Sequence, residues 1–293
     1  MRAIVIHGWG GRDRLELVTD LPTPPVAPDG VLVRVRAAGV NPVDHKVREG
    51  KLAGAFPHHF PLVLGWDAAG VVEAVGPAVT KFTPGDEVFG YNRRHELQLG
   101  TYAEYTTGPE DHWALKPAGL SFEEAAAIPL AGLTAQQALD AVHLHEDETL
   151  AVSGGSGGVG HFAVQLGIAR GARVIASASS HNHDFVRSLG AEPVEHDALP
   201  AGEADAVFDL MGDAATLDAL KPGGRYVTVA QPLEGDGVET HYVFVRPHGT
   251  MLTGVAAAVK PEVAEVFALE DAAAAHERLE GGGVRGKLVL RVD

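Results

Sequence analysis

No cysteine occurs in these 293 residues. Disulfides, thiolate metal sites and a thiol nucleophile are therefore excluded, and the chain suits a reducing, cytoplasmic compartment. No stretch comes near the ~18 unbroken apolar residues of a membrane span. The opening MRAIVIHGWGGRDRLELV has neither a long apolar core nor a cleavage-like site, so no signal peptide is expected. Positive charge is scarce: 23 Lys and Arg stand against 39 Asp and Glu, a net charge of −16. Nucleic acid and anionic membranes are thereby disfavoured as partners. Any anionic ligand must be held by local geometry instead. What is present is an ordinary globular mixture, 45% hydrophobic and 21% charged, long enough for two domains.

The first part of the chain is punctuated by Gly and Pro and rich in Val. AIVI, VLVRVRAAG, AAGVVEAVG and DEVFGY read as short strands. VLVRVRA alternates, with Val31, Val33 and Val35 on one face and Arg34 and Arg36 on the other, the pattern of a half-buried antiparallel strand. A partly open β-barrel is expected. The character changes at Ser121, which with Glu124 forms a capping box ahead of a helical pattern interrupted at Pro129. Strands and helices then alternate: TLAVS, VGHFAVQLGIARG, RVIASAS, HDFVRSLGA, DAVFDLM, AATLDALKPGG and RYVTVA. That succession predicts a parallel sheet with crossover helices. The closing FALEDAAAAHERLEGGGVRGKLVLRV reads as a helix and a strand that return to the first part.

Five glycines crowd the seven positions from Gly154 to Gly160. A flexible linker has this composition too. The context decides against it: an apolar strand precedes, an amphipathic helix carrying Val159, Phe162, Ala163 and Leu166 follows, and a second strand completes a βαβ unit. Gly155-x-Gly157-x-x-Gly160 is then a dinucleotide fingerprint, with a pyrophosphate seated on N–H groups at the helix start. Ser153, Gly155, Ser156, Gly157, Gly158, Val159 and Gly160 are the expected cofactor contacts. An NAD site places Asp or Glu at the tip of the second strand. Here the tip reads ASASSHNHDF, offering Ser177, Ser179, Ser180 and His183, with the first acid, Asp184, already in the next helix. Hydroxyls with imidazole or Arg187 support suit a 2′-phosphate, so NADPH is the expected cofactor. The serines also suit a helix cap, and both roles are compatible.

AAGVNPVDHKVREG, PLVLGWDAAGVVEAVG, PGDEVFG, GTYAEY, AAAIPLAGLTAQQAL, GGSGGVG, LKPGGRYV and GKLVL, in this order, resemble the medium-chain dehydrogenase/reductase superfamily over nearly the whole chain. Within it the chain is most similar to the zinc-independent NADPH:quinone oxidoreductase, zeta-crystallin-like branch. The zinc alcohol dehydrogenases carry Cys at the position of Asn41 and Gly-His-Glu where this chain has Gly65-Trp66-Asp67. No metal is expected. Without a Lewis acid for an alkoxide, the accessible chemistry is hydride delivery to an electron-poor acceptor, a quinone or an α,β-unsaturated carbonyl. An enoyl reductase acting on a thioester or polyketide intermediate, and a low-turnover NADPH-binding sensor, are the alternatives.

The resemblance implies an α/β protein with a GroES-like β-barrel catalytic domain, residues 1–121 and 257–293, and a doubly wound Rossmann domain, residues 122–256. It implies an active site in the cleft that these form. Asn41, whose amide would donate to a carbonyl oxygen, Asp44 and Thr134 are the candidate catalytic residues. Asn41 also reads as a structural residue before Pro, Asp44 and Thr134 as helix caps, and Tyr102 as packing. Phe244, Val245 and Arg246 are implied beside the nicotinamide, Lys287 near the cofactor or the cleft, and His196 near the 2′-phosphate. A homodimer is implied through HYVFVRPHGTMLTGV as an edge strand of the Rossmann sheet. No dedicated proton donor is evident, and the segment around 249–266 is shorter than the family pattern.

Overall fold

Two units make up the described residues, 1–233 and 237–292, of this computed structural model. One comprises Met1–Leu130, Arg246–Gly254 and Pro261–Asp293; the other comprises Ala131–Val245 and Val255–Lys260.

The first unit is built on β1 (Ala3–Ile6), β2 (Glu16–Val18), β3 (Gly30–Val40), β4 (His58–Val63), β5 (Asp67–Val75), β6 (Glu87–Tyr91), β7 (Leu97–Leu99), β8 (Tyr105–Pro109) and β9 (Trp113–Leu115), with helices α1 (Pro42–Arg48) and α2 (Phe122–Ala127). The alternation of VLVRVRA is realised in β3. Val31, Val33 and Val35 are buried and Arg34 is exposed, and the strand pairs antiparallel with β5 and β8. Helix α2 starts at the capping box: the Ser121 N–H donates to Glu124 Oε2 at 2.8 Å, and the Glu124 N–H donates to Ser121 Oγ at 3.1 Å. The helix packs on β3 and β5, close enough that a Cβ on Gly39 would lie 2.4 Å from the Ala126 carbonyl oxygen. This packing groups α2 with the barrel, so that unit runs on to Leu130, beyond the boundary at 121.

Helix α3 (Pro129–Ala141) leads into the second unit, whose elements are β10 (Thr149–Val152), α4 (Gly160–Ala169), β11 (Arg173–Ser177), α5 (His183–Ser188), β12 (Glu192–Val194), β13 (Ala204–Asp209), β14 (Leu220–Thr228) and β15 (Glu239–Tyr242). All pairings are parallel, in the order β12-β11-β10-β13-β14-β15. This is the doubly wound dinucleotide-binding order, strands 3-2-1-4-5-6. One expected helix is not α-helical. AATLDALKPGG gives a 3₁₀ turn over Ala214–Ala219, and the strand already begins at Leu220. Pro222 and two glycines, Gly223 and Gly224, deny the segment the length a helix needs. Leu199, Leu217, Leu220, Leu233 and Val238 pack instead on a core of Ala151, Ala204, Val207, Ala219 and Tyr226.

Helix α6 (Gly249–Ala258), β16 (Val263–Ala268), α7 (Ala272–Glu280) and β17 (Lys287–Arg291) complete the chain. The closing helix and strand are where the sequence put them: β17 pairs antiparallel with β3. The parallel neighbour β16 was not foreseen. HYVFVRPHGTMLTGV is corrected. Only His241 and Tyr242 belong to the edge strand β15, and Gly249 onward is helix α6, because the run GTMLTGVAAA has helical rather than alternating apolar spacing.

The Ser121→Ala substitution removes one half of the capping box. It is expected to cost about 1 kcal/mol and to lower the midpoint of thermal unfolding by about 2 °C, read by circular dichroism.

Candidate active site

In the second unit the glycine stretch forms the turn from β10 to α4. Gly154 takes a φ of +71°, a left-handed conformation that glycine adopts without a steric cost. Gly160 lies so close to this turn that a Cβ on it would sit 2.1 Å from the Gly154 carbonyl oxygen. The turn is tied to the second strand: the Gly154 N–H donates to Ser177 Oγ at 3.1 Å and the Gly155 N–H to the Ser177 carbonyl at 2.8 Å. Ser153 is also committed. Its hydroxyl donates to Asp209 Oδ1 at 2.7 Å and accepts from the Leu210 N–H at 2.7 Å. Asp209, fully buried, accepts in addition from Tyr226 and from the N–H groups of Met211 and Asp213. Ser156, Gly157, Gly158 and Val159 lead into the first turn of α4, where the helix leaves N–H groups for an anion.

Ser179, Ser180 and His196 stand beyond the ends of β11 and β12, and Ser179 Oγ lies 3.0 Å from His196 Nε2. His183 is turned inward, with Nε2 3.1 Å from the Ala178 carbonyl and 3.7 Å from Glu195. Arg187 is paired with Asp184 at 2.6 Å on the surface. Ser177, 1% exposed, holds the turn rather than facing solvent. Thr134 is buried inside α3, well past its first turn, which removes the helix-cap alternative. Phe244 and Val245 follow the edge strand, Phe244 being 49% exposed, and Arg246 opens the return to the first unit.

The first unit contains a buried polar cluster. Asn41 stands at the junction of β3 and α1, and only 1% of it is exposed. Its Nδ2 donates to Asp67 Oδ2 at 2.9 Å, and the Gly39 carbonyl lies at 3.4 Å. Its Oδ1 accepts from the Lys287 ammonium, which also donates to the Val40 carbonyl at 2.9 Å. Asp67 Oδ1 accepts from the Leu130 N–H at 2.9 Å. Asp44 Oδ2 accepts from the Asn41 N–H at 2.7 Å and from Tyr102 OH at 2.9 Å. The Tyr102 oxygen lies 3.4 Å from His276 Nε2, and His276 Nδ1 accepts from Arg48 at 3.0 Å. Arginine only donates, so His276 carries its proton on Nε2 and passes a hydrogen bond to Tyr102. Burial, aided by Arg48, pushes His276 down to about 3, which keeps it neutral. Burial pushes Asp44 up to about 7 and Asp67 up to about 6, against the hydrogen bonds and the Lys287 charge that favour ionisation. Lys287 is itself lowered by burial.

Residues 27–118 match the family described as "Alcohol dehydrogenase GroES-like domain", and residues 171–290 the family "Zinc-binding dehydrogenase". The chain is 38% identical to an NADPH-dependent alkenal/one oxidoreductase of Arabidopsis thaliana, over 78% of this chain and 62% of that one. It is 34% identical to a 2-methylene-furan-3-one reductase of Solanum lycopersicum, over 99% of this chain and 79% of the relative. The solved quinone oxidoreductase of Coxiella burnetii superposes with a TM-score of 0.90 at 33% identity, covering 100% of this chain and 99% of the other. The chain belongs to the medium-chain dehydrogenase/reductase superfamily. As a member it is an oxidoreductase that uses a nicotinamide cofactor.

Within this superfamily member, several expected site residues have partners inside the protein itself. Asn41 spends its amide on Asp67 and Lys287, and Lys287 lies in the barrel cluster with Asn41. The reason is the register of β17 on β3, which sets Leu288 opposite Val40. Asp67, Tyr102, Arg48 and His276 complete a cluster that sequence reasoning did not assemble. Asp67 was legible only as part of Gly-Trp-Asp, and nothing local links Arg48 to a histidine 228 positions away.

The two raised carboxyls give a pH test with a definite sign. A carboxyl that holds its proton more tightly when folded adds stability below its unfolded value near pH 4, and that stability is lost as pH rises through the folded value. For Asp67 and Asp44 the windows close at about 6 and about 7. Asn at position 44 accepts the same hydrogen bonds but cannot ionise. The stability difference of wild type over Asp44→Asn is expected to shrink as pH rises from about 4 to about 8, measured as thermal midpoints of both proteins across that range.

Proposed function

We propose that this chain is a zinc-independent, NADPH-dependent reductase that delivers hydride to a quinone or an α,β-unsaturated carbonyl. One observation carries this: a complete pyrophosphate turn in the second unit accompanies a polar cluster in the first whose donors do not suit zinc. A catalytic zinc needs three protein ligands. Asn41 is already shared by Asp67 and Lys287, Trp66 offers no ligand, and Asp67 holds the Leu130 N–H. An acceptor that is already electron-poor requires only orientation and a hydrogen bond to its developing oxyanion. The names of the relatives, an alkenal/one oxidoreductase and quinone oxidoreductases, accord with such acceptors.

NADPH, when bound, supplies the hydride. The turn from Gly154 to Gly160 would hold the pyrophosphate, since its closely approached backbone leaves no room for side chains. Ser179, Ser180 and His196 would hold the 2′-phosphate, with His183 supporting them from beneath. Thr134, Phe244, Val245 and Arg246 would line the nicotinamide. Asn41 would donate to the acceptor oxygen, and Asp44 would orient it through its bond to the Asn41 N–H. The proposal includes a cytoplasmic location, in keeping with the absence of cysteine. It also includes a homodimer through β15, whose Tyr242 is 45% exposed and whose open backbone groups invite pairing. No helix among the described residues is long and apolar enough to cross a membrane.

Fluorescence of bound NADPH, titrated against NADH and followed by 9,10-phenanthrenequinone in the same cuvette, tests this function. Tight NADPH binding with rapid oxidation supports it, and binding without oxidation overturns it. The Ser179→Asp substitution sets a carboxylate beside the 2′-phosphate. It is expected to weaken NADPH binding by about tenfold or more and to leave NADH binding within about twofold. Equal weakening of both would remove Ser179 from the phosphate site.

A further inference from the structure

Lys287 opens β17, and only 4% of it is exposed. A lysine ammonium has three N–H donors. Two are placed, on the Val40 carbonyl and on Asn41 Oδ1, and the third has no partner among the described residues. An ammonium is taken out of water only when the site returns a compensating interaction. Here the compensation is the Asn41 carbonyl dipole with the Asp67 carboxylate beyond it, so that cation, amide and anion form one hydrogen-bonded chain: Lys287 to Asn41 Oδ1, then Asn41 Nδ2 to Asp67.

That arrangement fixes which way the amide faces. Reversed, it would set its NH₂ group against an ammonium and its carbonyl against a carboxylate, and both contacts would be repulsive. It also leaves one hydrogen of the amide only weakly held. The first Nδ2 hydrogen is held by Asp67 at 2.9 Å. The second has only the Gly39 carbonyl at 3.4 Å, beyond the usual range for an N–H···O bond. A cation on the carbonyl end draws electron density through the amide and strengthens the remaining N–H as a donor, as hydrogen bonds in a chain polarise one another.

We propose that Lys287 is a positioning residue for hydride transfer, an internal cation that orients and polarises Asn41 so that its second amide N–H can receive the acceptor's developing oxyanion. The proposal rests on the reductase reading above. The electron balance is simple. Hydride adds to the acceptor carbon, a π pair shifts onto the acceptor oxygen, the Asn41 N–H stabilises that oxygen, and a solvent proton completes the reduced product. Lysine thus acts through the amide and does not bind the acceptor. Asn41, Trp66 and Asp67 are the positions at which this chain departs from the zinc pattern, and the lysine's two protein contacts both lie at Val40–Asn41.

The test is a double-mutant cycle on the full chain, read with NADPH and 9,10-phenanthrenequinone. Lys287→Met is expected to lower kcat by about 10- to 100-fold, the range for losing one oriented oxyanion donor, while the KM for NADPH changes by less than about threefold. Lys287→Arg is expected to recover part of the loss. Asn41→Leu should lose as much as Lys287→Met, and the double variant no more than either alone, because the two act as one unit. The contrary results are a kcat for Lys287→Met within about twofold of wild type, losses that multiply in the double variant, or a raised KM for NADPH at unchanged kcat. The last would assign Lys287 to the cofactor. If Lys287→Met does not fold, Lys287→Arg and Asn41→Leu complete the comparison: the arginine variant must lie between wild type and Asn41→Leu in kcat, and full loss in it overturns the proposal. The ¹⁵N shift of the Asn41 side-chain amide, with Asp67→Asn as a companion, needs no turnover. It should move in Lys287→Arg and in Asp67→Asn, and an unmoved signal contradicts the polarisation. A wild-type protein inert toward quinones but with that shift response would refute the reductase reading and leave the polarised amide intact.

Discussion

An amide held between a buried ammonium and a buried carboxylate is the interaction on which the first unit depends. Lys287, Asn41 and Asp67 come from the last strand, the end of β3 and the start of β5, so this one contact joins the C-terminal return to the middle of the barrel. Each charge alone would be costly in that interior, and breaking such a pair by removing one partner leaves the other uncompensated. The cluster therefore stands or falls together. Around it Asp44 receives a one-way chain of hydrogen bonds from Arg48 through His276 and Tyr102. Arg48 also binds Glu280 at the surface, so α1 and α7 are clamped from the core outward.

The second unit solves a different problem, the close approach of a backbone to an anion. Its turn is held from below by two buried groups, Ser177 and Asp209. Ser177 accepts from the Gly154 N–H, and Asp209 anchors Ser153 at the end of β10. Ser153 and Ser177, expected beside a cofactor, also support the turn. In the proposed reading, the backbone of the turn and the outer residues Ser179, Ser180 and His196 face the phosphates.

Much of this was legible where the signal is local. The alternation of Val31 to Arg36 gave β3, Ser121 and Glu124 gave the start of α2, and the strand, turn and helix around Gly155 to Gly160 gave the dinucleotide fold. The motifs spread along the chain gave the family. Legibility failed where the cause is distant. The bond between Lys287 and Asn41, 246 positions apart, could not be read, because the sequence does not state that β17 lies in register with β3. His276 gains its place only through Arg48 and Tyr102, both distant in sequence. The segment from His241 to Val255 reads as strand by its start, yet its apolar spacing from Gly249 is helical and the helix forms.

We propose that charge at the site comes from the protein itself and not from a metal. Metal content by inductively coupled plasma mass spectrometry, measured on the same enzyme preparation whose quinone turnover is recorded, tests it most directly. Full turnover with far less than one zinc per chain, unchanged after exhaustive dialysis against a chelator, is required if Lys287 and Asp67 supply the electrostatics. Turnover that falls with zinc content and returns on adding zinc would contradict it.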